Sequence, residues 1–355
     1  MISICMIVKN EEQYIEKCLQ ALKPLGYELV VVDTGSVDKT KEIVAQYTDK
    51  LYDFTWVNDF SAARNFSIEK AQNDYVLVMD SDEITIDYDK EQLELLVRNN
   101  SKGIGRITRI NEFTRKGQLF HGHERVSRLF NRKYYQYEGI IHEQVVSKEG
   151  KNSYYDIPLT AKHYGYEGEV EVRKQKTKRN IELLEVQLVQ EKSDAPDNVP
   201  YTLYQLGKSY YMQEDYKKAN EYFVEALYFD LNPRLDYVQD MVESYGNSLL
   251  EAKEYETALG LLSVYGEFSN STDFVFLCAL IYMNNGYFNE AIQEFEKALT
   301  RTTFKMEGVN SYLAWYNMGV IYECLEKWEM AKNSYEKCGG YTLALKGLER
   351  IRKDE

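Results

Sequence analysis

Apolar residues follow two rhythms along this chain, and the change from one to the other divides it. In the first hundred residues, short continuous apolar runs alternate with stretches of helical spacing. Ile2 to Val8 is an apolar run of strand length, and residues 28–33 (ELVVVD) form a second. Residues 51–54 read as a short third strand and residues 73–80 (NDYVLVMD) as a fourth. Between them, Tyr14, Ile15, Cys18, Leu19 and Leu22 recur at helical spacing until Pro24 and Gly26 stop the run. Asp38 opens another helical stretch that reaches Tyr47, and Asp59-Phe60-Ser61 has N-cap chemistry ahead of AARNFSIEKA. Apolar strands separated by helices predict a largely parallel sheet covered on both faces. A further helix is predicted over 91–99. Residues 104–110 and 126–130 then alternate as half-exposed strands do, which predicts a mixed or antiparallel extension of the sheet.

From Val199 onward the chain repeats itself. Gly207, Tyr210, Ala219, Phe223 and Ala226 set a pattern. It returns as Gly246, Leu249, Ala258 and Leu262, as Ala279, Tyr282, Ala291, Phe295 and Ala298, and as Gly319, Tyr322, Ala331 and Tyr335. The recurring alanines stand 33 to 40 residues apart. Small residues at these points let paired helices approach closely. The pattern resembles tetratricopeptide repeats, four of them, with residues 341–353 as a capping helix. Such arrays offer a concave surface to a peptide or protein. A long helix over 177–192 and a break at Pro196 and Pro200 separate the halves. The expected division is 1–175, a linker helix over 176–196, and repeats over 197–355.

Charge and cysteine content narrow the class. The chain has 355 residues, with 57 acids against 43 bases and a net charge of −14, which argues against a general nucleic-acid binder. Its five cysteines are scattered without CxxC spacing and read as buried thiols of a reducing compartment. The N-terminal apolar run turns charged too early for a signal peptide, and no apolar run is long enough to cross a membrane. The expectation is a cytoplasmic protein. A homodimer is among the assemblies this sequence leaves open.

In an open parallel sheet, sites form beyond the C-terminal ends of the strands. Asp33, Asp80 and Asp82 all fall at such ends. A buried strand that stops in Asp80-Ser81-Asp82-Glu83 is arranged to meet a cation or a reacting group. Carboxylates so placed suit Mg²⁺ or Mn²⁺, whose open positions take phosphate oxygens. An EF-hand is excluded, because the glycine and closing glutamate of that loop are missing. Between Arg98 and Lys133 there are ten bases and only Glu112 and Glu124 as acids, a basic face fit to close over the acid cluster. All four histidines (His121, His123, His142, His163) lie in the stretch that follows the cluster. Residues 173–179 (RKQKTKR) pack five bases into seven positions.

ISICMIVKNEE, VVDTGSVDKT, AARNFSIEKAQNDYVLVMDSDE and YEGIIHE, in this order, resemble family 2 glycosyltransferases over about residues 1–170. With the repeats added, the chain resembles a bacterial subgroup that includes the peptide S-glycosyltransferases of glycocin biosynthesis. The fold this implies is an α/β domain of GT-A type followed by an all-α tetratricopeptide solenoid. The implied activity is a metal-dependent, inverting transfer of a sugar from a nucleotide-sugar, UDP-linked, to a peptide or protein acceptor. A carbohydrate or cell-envelope acceptor and an inactive repeat scaffold are the alternatives. Ile7, Val8 and Lys9 would border the base, Asp33 would bond base or ribose with help from Asp38, and Arg64 and Asn65 would line the nucleotide. Asp80 would lie by the ribose or sugar, or on the metal. Asp82 would bind Mn²⁺ or Mg²⁺ directly, with His142 or His163 completing the site. Lys176 and Arg179, in the basic run, would clamp the diphosphate. Transfer with inversion needs a carboxylate to take the acceptor's proton. Glu143 is the first choice and Glu124 the second.

Overall fold

The computed structural model describes residues 1–115, 118–164 and 170–354. The chain forms two compact units, Met1–Gln187 and Leu188–Glu355. Their division falls inside the helix that the sequence sets apart as a linker.

The first unit begins with strand β1 (Ile2–Val8), helix α1 (Ile15–Leu22), β2 (Glu28–Asp33), α2 (Thr40–Val44), β3 (Leu51–Asp53), α3 (Phe60–Glu69) and β4 (Tyr75–Val78). It continues through β5 (Glu83–Tyr88), α4 (Lys90–Asn99), β6 (Ile104–Arg115), β7 (Gln118–Asn131), β8 (Tyr135–Glu138), β9 (Gln144–Ser147), β10 (Tyr154–His163) and α5 (Val170–Asp194). One sheet has the order β3-β2-β1-β4-β7-β6-β10-β5, and β8 and β9 form a separate hairpin. β3, β2, β1 and β4 run parallel. β7 pairs antiparallel with both β4 and β6, which is the predicted mixed extension. Along β1, Ile2, Ile4, Met6 and Val8 join the core on one face while Cys5 joins the other, with Val30, Val76, Val78 and Phe130. Each such buried aliphatic side chain stabilises by about 1.5–3 kcal/mol.

β5 departs from expectation. Residues 83–88 (EITIDY) alternate polar and apolar, but sequence reading takes them only as the end of the acid cluster. They pair antiparallel with β10 at the far edge of the sheet, with the polar Glu83 and Thr85 on the buried side. β4 and β5 are consecutive in the chain, joined by residues 79–82, but have three strands between them in the sheet. α1 begins at Ile15, after bends and a turn over residues 9–14. Asn10 stands at φ 57°, a left-handed conformation that asparagine tolerates. It bonds residues 36 and 37 in both directions (Asn10 N to Ser36 Oγ 2.9 Å, Val37 N to Asn10 Oδ1 2.8 Å).

The second unit holds the repeats. Its helices are α6 (Val199–Met212), α7 (Tyr216–Leu227), α8 (Asp236–Glu251), α9 (Tyr255–Ala258), α10 (Tyr265–Phe268), α11 (Thr272–Asn284), α12 (Phe288–Leu299), α13 (Tyr312–Cys324), α14 (Trp328–Glu336) and the cap α15 (Thr342–Asp354). Pro200 lies in the first turn of α6, where a missing N–H is harmless. The small repeat residues sit where the helices touch. A Cβ added at Gly319 would stand 2.5 Å from the fully buried Tyr335 ring, with no open space to receive it. Gly319→Ala is therefore expected to destabilise this unit by about 1–3 kcal/mol, the usual cost of overpacking. Urea unfolding followed by helical circular dichroism checks it, and an unshifted midpoint would remove the close approach.

Candidate functional site

The acids gather where β4 ends and the link to β5 begins. Asp33, the last residue of β2, is buried at 2% exposure beside Val8, its partner in register on β1. Its Oδ1 accepts the amides of Gly35 (3.0 Å) and Ser36 (2.9 Å). Its Oδ2 is buried with no hydrogen-bond partner among the described residues. A carboxylate oxygen left in this way carries a desolvation cost that an arriving N–H or O–H donor relieves.

Asp80 and Glu83 are held in a cage of arginines. Arg64 from α3 gives Nη2 to Asp80 Oδ1 at 2.7 Å. Arg128 from β7 bonds Asp80 Oδ2 with Nη2, and the same nitrogen reaches Glu83 Oε1 at 2.6 Å. Arg109 from β6 adds Nη1 to Glu83 Oε1 at 3.2 Å and Nη2 to Glu124 at 2.6 Å. Glu83 is fully buried, and its other oxygen accepts the Asp80 amide at 3.2 Å. Burial alone would raise the Asp80 carboxyl, but Arg128 and Arg64 outweigh it and hold it well below the usual carboxylate range. Arg64 also gives Nε to Glu143 Oε1, so one guanidinium joins the strand-end acids to the turn between β8 and β9. Glu143 Oε2 has no hydrogen-bond partner among the described residues.

Asp82 stands apart from the arginines. Its Oδ2 faces His163 Nε2 at 3.4 Å, and its carbonyl accepts the Tyr164 amide at 2.9 Å. His163 Nδ1 donates to Asn111 Oδ1 at 2.9 Å. Glu83, His163 and Asn111 lie in one cross-strand row of β5, β10 and β6. Glu11 closes the other side. Burial, with the negative Asp82 nearby, pushes its carboxyl up to about 7, while Lys176 and the Ser81 hydroxyl pull the other way.

The family description Glycosyl transferase family 2 matches residues 3–148, and tetratricopeptide repeat descriptions match 200–232, 274–302 and 312–338. The chain carries a family 2 glycosyltransferase domain followed by tetratricopeptide repeats. It is 31% identical over 236 residues to a TPR repeat-containing protein of Synechococcus elongatus, covering 64% of this chain and 56% of the relative. It is 28% identical over 254 residues to the SPbeta prophage-derived glycosyltransferase SunS of Bacillus subtilis, covering 67% of this chain and 56% of SunS. An uncharacterized glycosyltransferase of Haemophilus influenzae is 38% identical over 110 residues, 28% of this chain and 44% of that relative. The chain thus spans about half the length of the curated relatives it matches.

The glycosyltransferase domain brings some predicted residues together and sends others elsewhere. Asp80, expected on the donor or the metal, has one oxygen bonded to Arg64 and the other to Arg128. Asn65, expected to line the nucleotide, bonds both backbone groups of Tyr137 with its amide (2.9 and 3.0 Å), which zips α3 to β8. Asp38 is turned to local work, accepting the Thr40 amide (3.0 Å) and hydroxyl (2.6 Å) and the Glu12 amide (3.2 Å). Of the two histidines offered to the cation, His163 meets Asp82, while His142 occupies the β8–β9 turn at φ 51°. Val8 is buried, Ile7 is half-buried and Lys9 is exposed. Val8 turns its carbonyl to the Thr34 amide (2.9 Å). Arg179 lies 5.5 Å over the Phe60 ring, and Lys176 is exposed. Gly165 and Tyr166 of the HYGY island, and the Arg173 and Lys174 side chains, lie outside the described residues. Sequence reading did not single out Arg109, Arg128 or Asn111. Arg128 left one signal: an arginine beside Leu129 and Phe130 in a strand of buried residues.

The divalent cation implied by the family has a partial fit here. Asn111 Oδ1 is placed to accept from His163 Nδ1, and His163 Nε2 faces Asp82 Oδ2. An outer hydrogen bond of this kind on the far nitrogen is the usual support for a metal-binding histidine. Asp82 and His163 would be two protein ligands, with the remaining positions open to diphosphate and water.

Proposed function

We propose that the chain is a glycosyltransferase that moves a sugar from a UDP-linked nucleotide-sugar to a peptide or protein acceptor, with inversion at the anomeric carbon. The unpartnered, buried Oδ2 of Asp33 carries this reading. It lies beyond the C-terminal end of a parallel strand, where an open sheet binds its ligand. In the proposed complex it accepts a hydrogen bond from the base or ribose. Asp82 and His163 would hold Mn²⁺ or Mg²⁺, which would supply positive charge opposite the leaving diphosphate. Lys176 and Arg179 add positive charge on the same side. Arg64 presents Glu143, whose free Oε2 takes the acceptor's proton. Glu124 is the second candidate for that role. The repeats support a peptide or protein as the acceptor.

A thermal-shift screen of UDP-, GDP- and CDP-sugars with Mn²⁺ tests the donor. A UDP-sugar at a hundred times its dissociation constant should add about 2.7 kcal/mol of stability. Asp33→Ala should lose that gain while keeping the unliganded melting point within a few degrees. Equal stabilisation of the variant and the parent would remove Asp33 from the donor site. Mass spectrometry of reactions offered a peptide pool and a saccharide pool separates the acceptor classes, and modification of saccharide alone overturns the peptide acceptor.

A further inference from the structure

The turn between β8 and β9 is held from two sides. From α3, the Phe60 amide donates to the Ile140 carbonyl at 2.9 Å and the Ser61 hydroxyl donates to the Gly139 carbonyl at 2.5 Å. These bonds fix the turn's carbonyls. Its amides are fixed from α5, where Gln187 Oε1 accepts Ile140 N at 2.9 Å and Ile141 N at 3.4 Å. The turn needs such bracing. Gly139 stands at φ 103° and His142 at φ 51°, two left-handed residues within four positions. A conformation of that kind persists only when its surroundings over-determine it. Glu143 follows directly, already tied to Arg64. Gln187 is 6% exposed and shares the buried side of α5 with Ile181 and Leu184. A glutamine at such a place gives up its hydration for what its carbonyl can bond.

We propose that Gln187 is a positioning residue for transfer: its side-chain carbonyl fixes the amides of Ile140 and Ile141 and thereby sets where Glu143 meets the acceptor. The proposal rests on the reading of Glu143 as base. It adds a residue outside the stretch matched to the family and on the helix taken from sequence as a linker. Methionine at 187 fills the same space without an acceptor. Glutamate keeps an acceptor for both amides. The two variants therefore separate the hydrogen bonds from the packing.

The test compares Gln187→Met, Gln187→Glu and Glu143→Gln in the full chain. Gln187→Met should lower kcat for transfer about tenfold, the scale of a small misplacement of a catalytic group, with donor KM unchanged. Gln187→Glu should restore kcat to within about twofold of the parent on the same reasoning. Amide hydrogen exchange should be slow at 140 and 141 in the parent and in Gln187→Glu, and fast in Gln187→Met. Parent-like kcat in Gln187→Met, or equal losses in both variants, overturns the proposal. So does fast exchange at these amides in the parent, a measurement that stands even if Gln187→Met does not fold. Transfer at the parental rate by Glu143→Gln overturns the base assignment instead, and is told apart because it leaves the exchange pattern of the Gln187 variants untouched.

Discussion

Asp82→Ala leaves the glycosyltransferase domain folded and lowers sugar transfer at least a hundredfold, about 2.7 kcal/mol of transition-state stabilisation. The size follows from what the side chain does not touch. Asp80 and Glu83 are neutralised by arginines, whereas among the described residues the Asp82 carboxylate is paired with the His163 ring. Removing it takes one of two protein ligands from the cation and strands the other. No buried ion pair is broken, so stability should move by less than about 0.5 kcal/mol. Calorimetric titration with Mn²⁺, run beside transfer kinetics, checks both halves. Full activity in the variant, or parental activity undiminished by EDTA, would take the cation out of the reaction.

Arg128→Met has the largest expected effect on stability. Arg128 is 4% exposed and bonds two carboxylates, one of them fully buried. Removing one partner of a buried pair leaves an uncompensated charge, and the usual cost is about 3–5 kcal/mol. Urea denaturation of the full chain, read by Trp56 fluorescence, should show it as a lowered midpoint for the first unit. A midpoint within the error of the parent would show that Arg64 and Arg109 suffice. The pH dependence has a definite sign. The Asp80 carboxyl is depressed in the folded protein, so its contribution is present above the unfolded pKa, about 3.9, and is lost as pH falls below it. The parent should therefore lose stability more steeply than Arg128→Met between about pH 5 and pH 3.

What sequence reading reaches and what it misses follow from range. β1, β2 and β4 declare themselves by continuous apolar runs. The repeats declare themselves by small residues that return at the close approaches of Gly207, Gly246 and Gly319. Asp33 and Asp82 are legible because a parallel sheet puts strand ends together. Glu83 is legible only as a member of the acid cluster; its full burial is not, because Arg128, 45 residues later, comes back across the sheet to meet it. The tie between Asn65 and Tyr137, 72 residues away, is hidden for the same reason. Local pattern carries no information about such returns. Gln187 and Asn111 are hidden in another way, as single polar residues within elements whose other positions fully account for the fold.

The position of residues 79–82 between two strands that are neighbours in the chain and strangers in the sheet has a consequence for assembly during synthesis. β4 can pair with β1 as soon as it is made, but its other edge waits for β7 and β5 waits for β10, so the acid link is fully secured only by segments made dozens of residues later. Contacts of such sequence separation form slowly, because the loop must close before anything rewards it. A nascent chain that has emerged only to residue 120 holds Asp80 and Glu83 without Arg128, and Asp82 without His163. Arg64 and Arg109 are then the counter-charges available to Asp80 and Glu83, and the Arg128 that joins the two acids is still missing. The repeats face no such delay, since each can pack against a neighbour made moments before. The glycosyltransferase domain thus reaches the ribosome exit first and acquires its site late, and that interval is when it is most exposed to misfolding.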